Sequence, residues 1–224
     1  MMKTLATFAL MFALAAGLQA CEEKQAERPI PLETLETARH QLLYRNLARH
    51  SMRESVRSKM AELPRHDLLG DDSLARVYLD VPLQPEGGPW LWPPSQLAMV
   101  LTLFDPQPGR RALLIGAQEG WAAMILSSMG VEVHVWDPSS EWAEHVRERL
   151  SAAKAENFNP ENIQWFDTAG EAIAAGPWDY IFVTGTVQEV PPSWTASLRN
   201  GSGKLIAPYG TPPGVTLSSF TPMD

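Results

Sequence analysis

The 224-residue chain contains a single cysteine, Cys21, so no intramolecular disulfide can hold its core together. Basic residues are in the minority, with 18 Lys and Arg against 26 Asp and Glu, and the formal net charge is −8. No basic tract stands out from this acidic background, which argues against a nucleic-acid-binding protein. Hydrophobic residues make up 45% of the chain, enough for one domain with a substantial core but not comfortably for two.

Patterns of several common catalytic sites are missing as well. No Gly-x-Ser-x-Gly segment is present, so a hydrolase nucleophile on a strand-to-helix turn is unsupported. His40 and His50 have no acidic partner at metal-ligand spacing, and we therefore predict no metal site. His66 is expected to pack in a loop, with contact to a substrate carboxylate as the alternative. His134 is expected to be a hydrogen-bonded core residue rather than a ligand.

Residues 1–20 differ in composition from the rest of the chain. They contain a single charged residue, and their apolar run at 5–18 is too short for a comfortable membrane span. The stretch Leu18-Gln19-Ala20-Cys21 resembles the lipobox of bacterial lipoproteins, in which the cysteine is acylated after cleavage. The resemblance implies a signal peptide at 1–20 and a membrane anchor on Cys21. A plain secretory signal and a buried apolar helix are the alternatives. Glu22 rather than Asp follows the cysteine, which favours the periplasmic face of the outer membrane.

Four further segments follow the signal peptide. Residues 21–32 are polar and proline-bearing and predict a tether. Helical periodicity over 33–66 predicts N-terminal helices with a break near His50. Residues 67–210 hold an α/β domain, and residues 211–224 are expected to form a disordered or loosely packed tail.

The α/β domain alternates apolar strands with helical segments. Strands are predicted at 112–116, 131–137, 163–167, 178–185 and 204–210, and helices at 95–104, 120–129 and 139–154. Ser95 is the expected N-cap of the first of these helices. Continuous apolar strands separated by helices indicate a doubly wound, mostly parallel sheet that is covered on both faces.

A glycine turn follows the first predicted strand, in the stretch ALLIGAQEGWA (112–122). Gly116 and Gly120 mark its two ends, and Asp137 follows the first glycine by about 20 positions, the spacing at which an acid binds the ribose of a nucleoside cofactor. The complete dinucleotide pattern G-x-G-x-x-G is absent. The ordinary alternatives are tight strand–helix packing for the two glycines and a turn-forming role for Asp137 before Pro138.

Several separated stretches resemble the protein-L-isoaspartate O-methyltransferases, a family of S-adenosylmethionine-dependent methyltransferases. They occur in family order between residues 52 and 210 and are VRSKMAELPRHDLL (56–69), VYLDVPL (77–83), WDYIFVTGTVQEVPPSW (178–194) and GSGKLIAPYG (201–210). The resemblance implies a Rossmann-like fold, S-adenosylmethionine as cofactor and isoaspartyl carboxylates of damaged proteins as substrate. Because family members continue with further strands, it also implies a chain shortened after Gly210.

The resemblance carries four residues over to the cofactor site. Gly116 and Gly120 would shape the turn, Asp137 would bind the ribose, and Asp167 would lie near the adenine. The alternative for Asp167 is the N-cap of the next helix.

Three positions depart from the family pattern. Trp92 stands where the family has a serine that contacts the acceptor carboxylate, and Leu114 replaces an acid that resembles a partner for the methionine end of the cofactor. Gln118 replaces a glycine, which would cost roughly 1–2 kcal/mol if that position requires a positive φ. Glu119 is expected to add negative charge near the site.

These departures lead to three hypotheses about function. The preferred one is a catalytically degenerate, lipid-anchored periplasmic binding or scaffold module without catalytic residues or cofactor. Its partner would be a protein or small apolar ligand at a cleft bordered by Trp90, Trp92 and Trp121, whose indoles are expected to line or fill it. S-adenosylmethionine is made in the cytoplasm, and an exported protein is not expected to meet it there. This agrees with the preferred hypothesis. The second hypothesis is an active methyltransferase that uses S-adenosylmethionine, and the third is a pocket that has changed to another aromatic or apolar small molecule.

Overall fold

The computed structural model describes residues 30–211 and 213–222. The predicted signal peptide, Cys21 and most of the predicted tether lie outside these residues. Within the two described ranges, no helix combines the length and hydrophobicity that crossing a membrane requires.

The N-terminal segment is helical, with a break at His50. Helix α1 (Leu32–Gln41) continues into a π-helical turn (Leu42–Asn46) and a 3-10 turn (Leu47–Arg49), and α2 (Glu54–Glu62) begins after extended backbone at His50. Apolar side chains recur at helical spacing, and those of Leu42, Leu47, Val56 and Met60 are at most 1% exposed. Their burial attaches this segment to the α/β core.

A sheet of six strands forms the centre of the fold. Its order is β3-β2-β1-β4-β5-β6, and the first five strands are parallel. The strands are β1 (Arg111–Ile115), β2 (Glu132–Trp136), β3 (Ile163–Trp165), β4 (Tyr180–Val183), β5 (Lys204–Tyr209) and β6 (Thr216–Phe220). The ends of the five parallel strands lie within two residues of their predicted positions, and the doubly wound fold class is confirmed.

Helices connect and cover these strands. They are α3 (Asp71–Leu74), α4 (Pro94–Phe104), α5 (Trp121–Ser128), α6 (Ser140–Ala152), α7 (Ala169–Ala174) and α8 (Pro192–Ala196). Helix α2 packs against α4 and α5. One face of the sheet forms an apolar cluster in which Leu113, Ile181 and Leu205 are fully buried.

The prediction that Ser95 caps helix α4 is wrong. Pro94 occupies the first helical position, where its missing N–H leaves no hydrogen bond unmade. The N–H of Ser95 instead donates to Oδ1 of Asp80 at 2.9 Å. The carboxylate of Asp80, which lies 15 positions earlier in the chain, therefore takes the capping role.

The expectation of a loosely packed tail at 211–224 is wrong for Thr216–Phe220, which form β6. This strand pairs antiparallel with β5, with Leu205 opposite Phe220 and Tyr209 opposite Thr216. The Phe220 ring lies edge-on against Tyr209, with ring centroids 5.5 Å apart, and packs against the apolar cluster. Strand β6 covers the backbone edge that β5 would otherwise expose.

Candidate functional site

A cavity of about 730 Å³ lies at the carboxyl ends of β1, β2 and β4. Doubly wound sheets bind ligands in the crevice at this edge. Its walls come from the loop at 87–90, the turn after β1, residues 136–142, residues 183–187 and Trp194. Among the described residues that line it, Asp137 is the one with an ionisable side chain. The space is open, so the indoles do not fill the cleft.

The two glycines of the turn have different surroundings. Gly116 lines the cavity with φ 98°, and a Cβ there would lie 2.0 Å from Oγ1 of Thr184. Gly120, with φ 89°, precedes α5, and its Cβ would lie 3.0 Å from side-chain atoms of Val146 and Leu150. Gly116 therefore keeps the cavity wall open, whereas Gly120, which is not a lining residue, allows α5 and α6 to pack closely.

The two predicted acids are not brought together. Asp137 lines the cavity, and its carboxylate accepts hydrogen bonds from the N–H groups of Ala117 at 2.7 Å and Ser139 at 2.8 Å. It therefore serves both as a turn former and as a cavity residue. Asp167 is exposed and is not a lining residue. The alternative role of Asp167 as an N-cap is wrong, because the side chain of Thr168 caps α7.

Gln118 joins the turn to the loop before α4. Its φ is 52°, so this position does adopt the left-handed conformation that favours glycine. Its Oε1 accepts from the N–H of Trp92 at 2.9 Å, and its Nε2 donates to the carbonyl of Trp90 at 3.4 Å. The indole N–H of Trp142 donates to the backbone carbonyl of Gln118 at 2.7 Å. Gln118 thus connects the turn after β1 with the loop before α4 through its side chain, and with Trp142 through its backbone carbonyl.

The tryptophans at the cavity are mostly not those predicted. Trp90 lines the rim and is 62% exposed, but Trp121 is fully buried and donates to the carbonyl of Leu63 at 2.9 Å. Trp92 is not a lining residue, because its indole N–H donates to the carbonyl of Thr184 at 2.8 Å and its ring packs edge-on against a phenylalanine. Three lining tryptophans were not singled out from the sequence, namely Trp136, Trp142 and Trp194.

Comparison with known proteins identifies the family. The sequence model described as protein-L-isoaspartate(D-aspartate) O-methyltransferase matches residues 38–218. The chain belongs to this family. The protein-L-isoaspartate O-methyltransferase of Methanoregula boonei is 33% identical over 155 residues, which are 69% of this chain and 70% of that protein. The enzyme of Methylorubrum extorquens is 28% identical over 195 residues, which are 87% of this chain and 83% of that protein.

Solved structures support the fold. A crystal structure described as the Plasmodium falciparum protein-L-isoaspartate O-methyltransferase in complex with S-adenosyl-L-homocysteine has a TM-score of 0.68 and 21% identity. The alignment covers 83% of this chain and 91% of that chain. A second protein-L-isoaspartate O-methyltransferase structure has a TM-score of 0.64 and covers 83% of this chain and 64% of the other.

Leu114, which the resemblance to the family places at the position of an acid, lies in the apolar interior. It is 1% exposed on β1, in register with Val135 on β2 and Phe182 on β4. The cavity is not lined by Leu114. A carboxylate at this position would require a polar partner in a buried site, whereas leucine requires none.

Glu119 does not add an unpaired charge to the cavity. It is 4% exposed, and its Oε1 lies 2.5 Å from Nε of Arg65, which is 1% exposed. The same guanidinium donates to the carbonyl of Trp92 at 3.0 Å and of Val77 at 3.3 Å. Arg65, from the Pro-Arg-His stretch, thus joins the turn to the segment that precedes α4. Sequence reasoning missed this ion pair, because its members are 54 positions apart.

His66 and His134 do not line the cavity and contact neighbouring side chains instead. His66 Nδ1 lies 2.7 Å from the Tyr78 hydroxyl, which fits a loop-packing role, and burial raises the pKa of Tyr78 to about 12. His134 is buried as predicted but is not satisfied, since its Nδ1 has no hydrogen-bond partner. Within the part of the chain that the structure describes, no three His, Cys, Asp or Glu side chains are grouped as a metal site.

Proposed function

We propose that this protein is an S-adenosylmethionine-dependent methyltransferase that acts on isoaspartyl carboxylates. The observation that carries the proposal is the open cavity between Gly116 and Asp137 at the carboxyl edge of the sheet. The family and its named relatives agree with this activity, and the Plasmodium relative binds the demethylated cofactor. The open cavity at this edge of the sheet supports an active enzyme rather than the degenerate module that the substitutions in the sequence suggested.

The residues present fit the nucleoside part of the cofactor. A Cβ at position 116 would fill the space beside Thr184, so glycine keeps that wall accessible. The carboxylate of Asp137 is held by two backbone N–H groups and is suited to accept hydrogen bonds from ribose hydroxyls. The lining indoles supply flat apolar surfaces for a purine.

The protein's contribution to the reaction would be orientation and exclusion of water. S-adenosylmethionine supplies an electrophilic methyl group on its sulfonium, and a correctly placed carboxylate oxygen needs no further activation by a base. The Trp92 side chain cannot replace the family serine, since its one donor, the indole N–H, is engaged by the carbonyl of Thr184. We therefore place the acceptor at the rim, where Thr186 and Trp90 line the cavity.

Transfer of a labelled methyl group from S-adenosylmethionine tests the proposal. We expect labelling of a peptide that contains isoaspartate and none of the same peptide with ordinary aspartate. Asp137→Asn should weaken cofactor binding, because an amide is a poorer acceptor for ribose hydroxyls. Failure of the correctly folded protein to label the isoaspartyl peptide would reject the proposed activity.

A second candidate function is a binding or scaffold module without methyl transfer. The observation that favours it is the bond between Gln118 and Trp92, two residues that depart from the family pattern at the cofactor and acceptor positions. An exported location would also separate the protein from cytoplasmic S-adenosylmethionine. Calorimetry separates the candidates, because micromolar binding of S-adenosylmethionine is expected only for the first.

We also propose that Cys21 is acylated and anchors the protein to the periplasmic face of the outer membrane. The lipobox-like stretch at 18–21 supports this proposal. Cells fed a labelled fatty acid should incorporate label into the protein but not into a Cys21→Ala variant. Equal labelling of the two, or no labelling of either, would exclude acylation at this residue.

A further inference from the structure

We propose that residues 37–53, the basic segment, dock on an anionic membrane surface and orient the domain on it. This segment contains four arginines and two histidines but no aspartate or glutamate. Residues 54–224 contain 11 Lys and Arg against 21 Asp and Glu, a formal charge of −10. An anionic lipid surface therefore attracts the basic segment and repels the rest of the domain, and the two effects favour the same orientation.

Two arginines of the basic segment are exposed and available to such a surface. Arg45 and Arg49 lie four positions apart, and both residues are exposed. Within residues 30–211 and 213–222, neither guanidinium has a carboxylate partner, whereas Arg53 pairs with Asp105 at 3.1 Å. An exposed arginine without a partner can bind a lipid phosphate without first breaking an ion pair.

Buried leucines fix the side of the segment on which these arginines lie. Leu42, Leu43 and Leu47 are at most 1% exposed and attach the helical turns to the core. Arg45 and Arg49 are therefore held on the outer side of a packed backbone. Because this backbone is already ordered, docking requires little additional loss of conformational entropy.

Exposed aromatic and apolar groups accompany the charges. Tyr44 is 43% exposed, and its ring centroid lies 4.7 Å from that of His40. Leu32, at the beginning of α1, is 59% exposed. Tyrosine is enriched at membrane–water interfaces, and a combination of cations with exposed apolar residues is typical of helices that lie on lipid headgroups. The composition of α1 and the basic segment therefore fits a lipid surface better than a purely polar polyanion.

The proposed anchor on Cys21 supports a membrane as the partner, and the inference rests in part on that acylation. Nine Cα–Cα steps separate Cys21 from Ile30, and even a fully extended chain spans at most about 32 Å over them. Helix α1 begins two residues later. The basic segment would therefore be held close to the headgroups at high effective concentration, where a weak attraction is enough to orient the domain.

Vesicle binding of the full-length Cys21→Ala variant, which cannot be acylated at this position, tests the inference. Vesicles of phosphatidylcholine are compared with vesicles that also contain anionic phosphatidylglycerol. Each arginine near an anionic surface strengthens binding about fivefold, so Arg45 and Arg49 should give roughly a twentyfold preference for the anionic vesicles. High salt should abolish this preference, because it screens the charges. The apolar run at 5–18 adds equally to both affinities and leaves their ratio unaffected.

Two double variants with the same change in charge show which surface is responsible. Arg45→Gln with Arg49→Gln should bring the preference close to one. Arg76→Gln with Arg147→Gln is the matched control, since both arginines are exposed in the acidic part of the chain, and it should leave the preference unchanged. Equal binding to the two kinds of vesicle, or the same loss in both variants, would reject the inference. Binding of heparin without a preference between the vesicles would assign the segment to another polyanion and likewise reject it.

A polarity-sensitive fluorescent label reports the orientation directly. Because Cys21 is the only cysteine, Gln41→Cys in the Cys21→Ala background provides a single thiol, in a groove that position 41 lines together with Arg45. Its emission should shift to the blue on anionic vesicles. A label at Glu171→Cys should not shift, since Glu171 is exposed on α7, which packs through Ala172 into the apolar cluster of the sheet. A shift at both positions, or at neither, would contradict the proposed orientation.

These measurements separate the inference from the proposed anchor, because they use protein that is not acylated at Cys21. If the parent protein is acylated but the vesicle preference is near one, the inference is rejected while the anchor stands. If Cys21 proves unacylated, the anchor fails, and the vesicle preference still decides whether the basic segment binds anionic lipid.

Discussion

The backbone N–H of Trp92 donates a hydrogen bond of 2.9 Å to Oε1 of Gln118. The resemblance to the family predicts that these two residues stand at the acceptor and cofactor positions and that both depart from the family pattern. Because the Gln118 side chain accepts the hydrogen bond of the Trp92 backbone N–H, the two substitutions are physically linked. A reversion at either position should therefore affect both segments.

We expect Gln118→Gly and Gln118→Ala to differ in stability. Both changes remove the acceptor for the Trp92 N–H, but only glycine relieves the positive φ of 52°. The alanine variant should therefore be less stable by about 1 kcal/mol. Denaturant unfolding of the two variants measures this difference. Equal stability would mean that the backbone at position 118 carries no strain.

Gly116→Ala should destabilise the protein more than Gly201→Ala. Both glycines have positive φ, 98° and 73°, so both substitutions strain the backbone. A Cβ at 116 would also lie 2.0 Å from Oγ1 of Thr184, whereas nothing lies within 4 Å of one at 201. We expect a loss of about 1 kcal/mol at 201 and an additional 1–3 kcal/mol of overpacking at 116, measured by unfolding. Similar losses at both positions would show that Thr184 moves aside freely.

The pair Arg65–Glu119 should behave as one buried unit. Arg65→Met or Glu119→Leu alone leaves an uncompensated buried charge and should lower the free energy of unfolding by about 3–5 kcal/mol. The double variant should lose much less than the sum. Denaturant titration of all four proteins gives the coupling energy, and Glu119→Gln serves as a milder variant if a single change prevents folding.

The half-exposed pair Lys59–Glu62 provides the control for that cycle. Its nitrogen and oxygen lie 2.6 Å apart, but the side chains are 24% and 41% exposed. Lys59→Met should therefore cost less than about 1 kcal/mol. Additive effects of the Arg65 and Glu119 substitutions would contradict the interpretation of a coupled interior pair.

The parallel part of the fold could be predicted from the sequence because buried parallel strands are continuous apolar runs. The stretch Ala112–Ile115 and the stretch Tyr180–Val183 are of this kind, and both are strands. The spacing from Gly116 to Asp137 likewise located the cavity, since parallel strands bring their carboxyl ends to one edge. Strand β6 could not be predicted in this way, because Thr216–Phe220 includes a threonine and two serines and gains its stability from pairing with β5.

The walls of the cavity were harder to predict because they depend on contacts between distant segments. Periodicity cannot show that Trp121 points into the core or that Trp142 reaches back to Gln118. No local sequence pattern predicts the pair of Arg65 and Glu119 either, because the two residues are 54 positions apart. Each of these arrangements depends on how helices are placed on the sheet.

The stability of the protein should fall between pH 6.5 and 4 because of His134. Burial, and then the nearby Arg111, lowers the pKa of this imidazole to about 4, whereas an unfolded histidine titrates near 6.5. The unfolded chain therefore binds the proton first, so the stabilisation is complete above pH 6.5 and is lost as the pH falls toward 4. The loss is at most about 3 kcal/mol.

His134→Leu tests this assignment, because leucine can occupy the space beside Phe166 and Trp178 without titrating. Urea unfolding at pH 7 and pH 5 should show a smaller difference for the variant than for the parent protein. Asp179 affects a lower pH range: burial alone would raise its pKa, but hydrogen bonds from Arg199, the Arg111 N–H and Arg110 outweigh that effect and lower it. The contribution of Asp179 to stability is therefore lost only as its own carboxylate protonates, at a pH below the range in which the His134 contribution is lost. An unchanged pH dependence in His134→Leu would assign the loss between pH 7 and 5 to other groups.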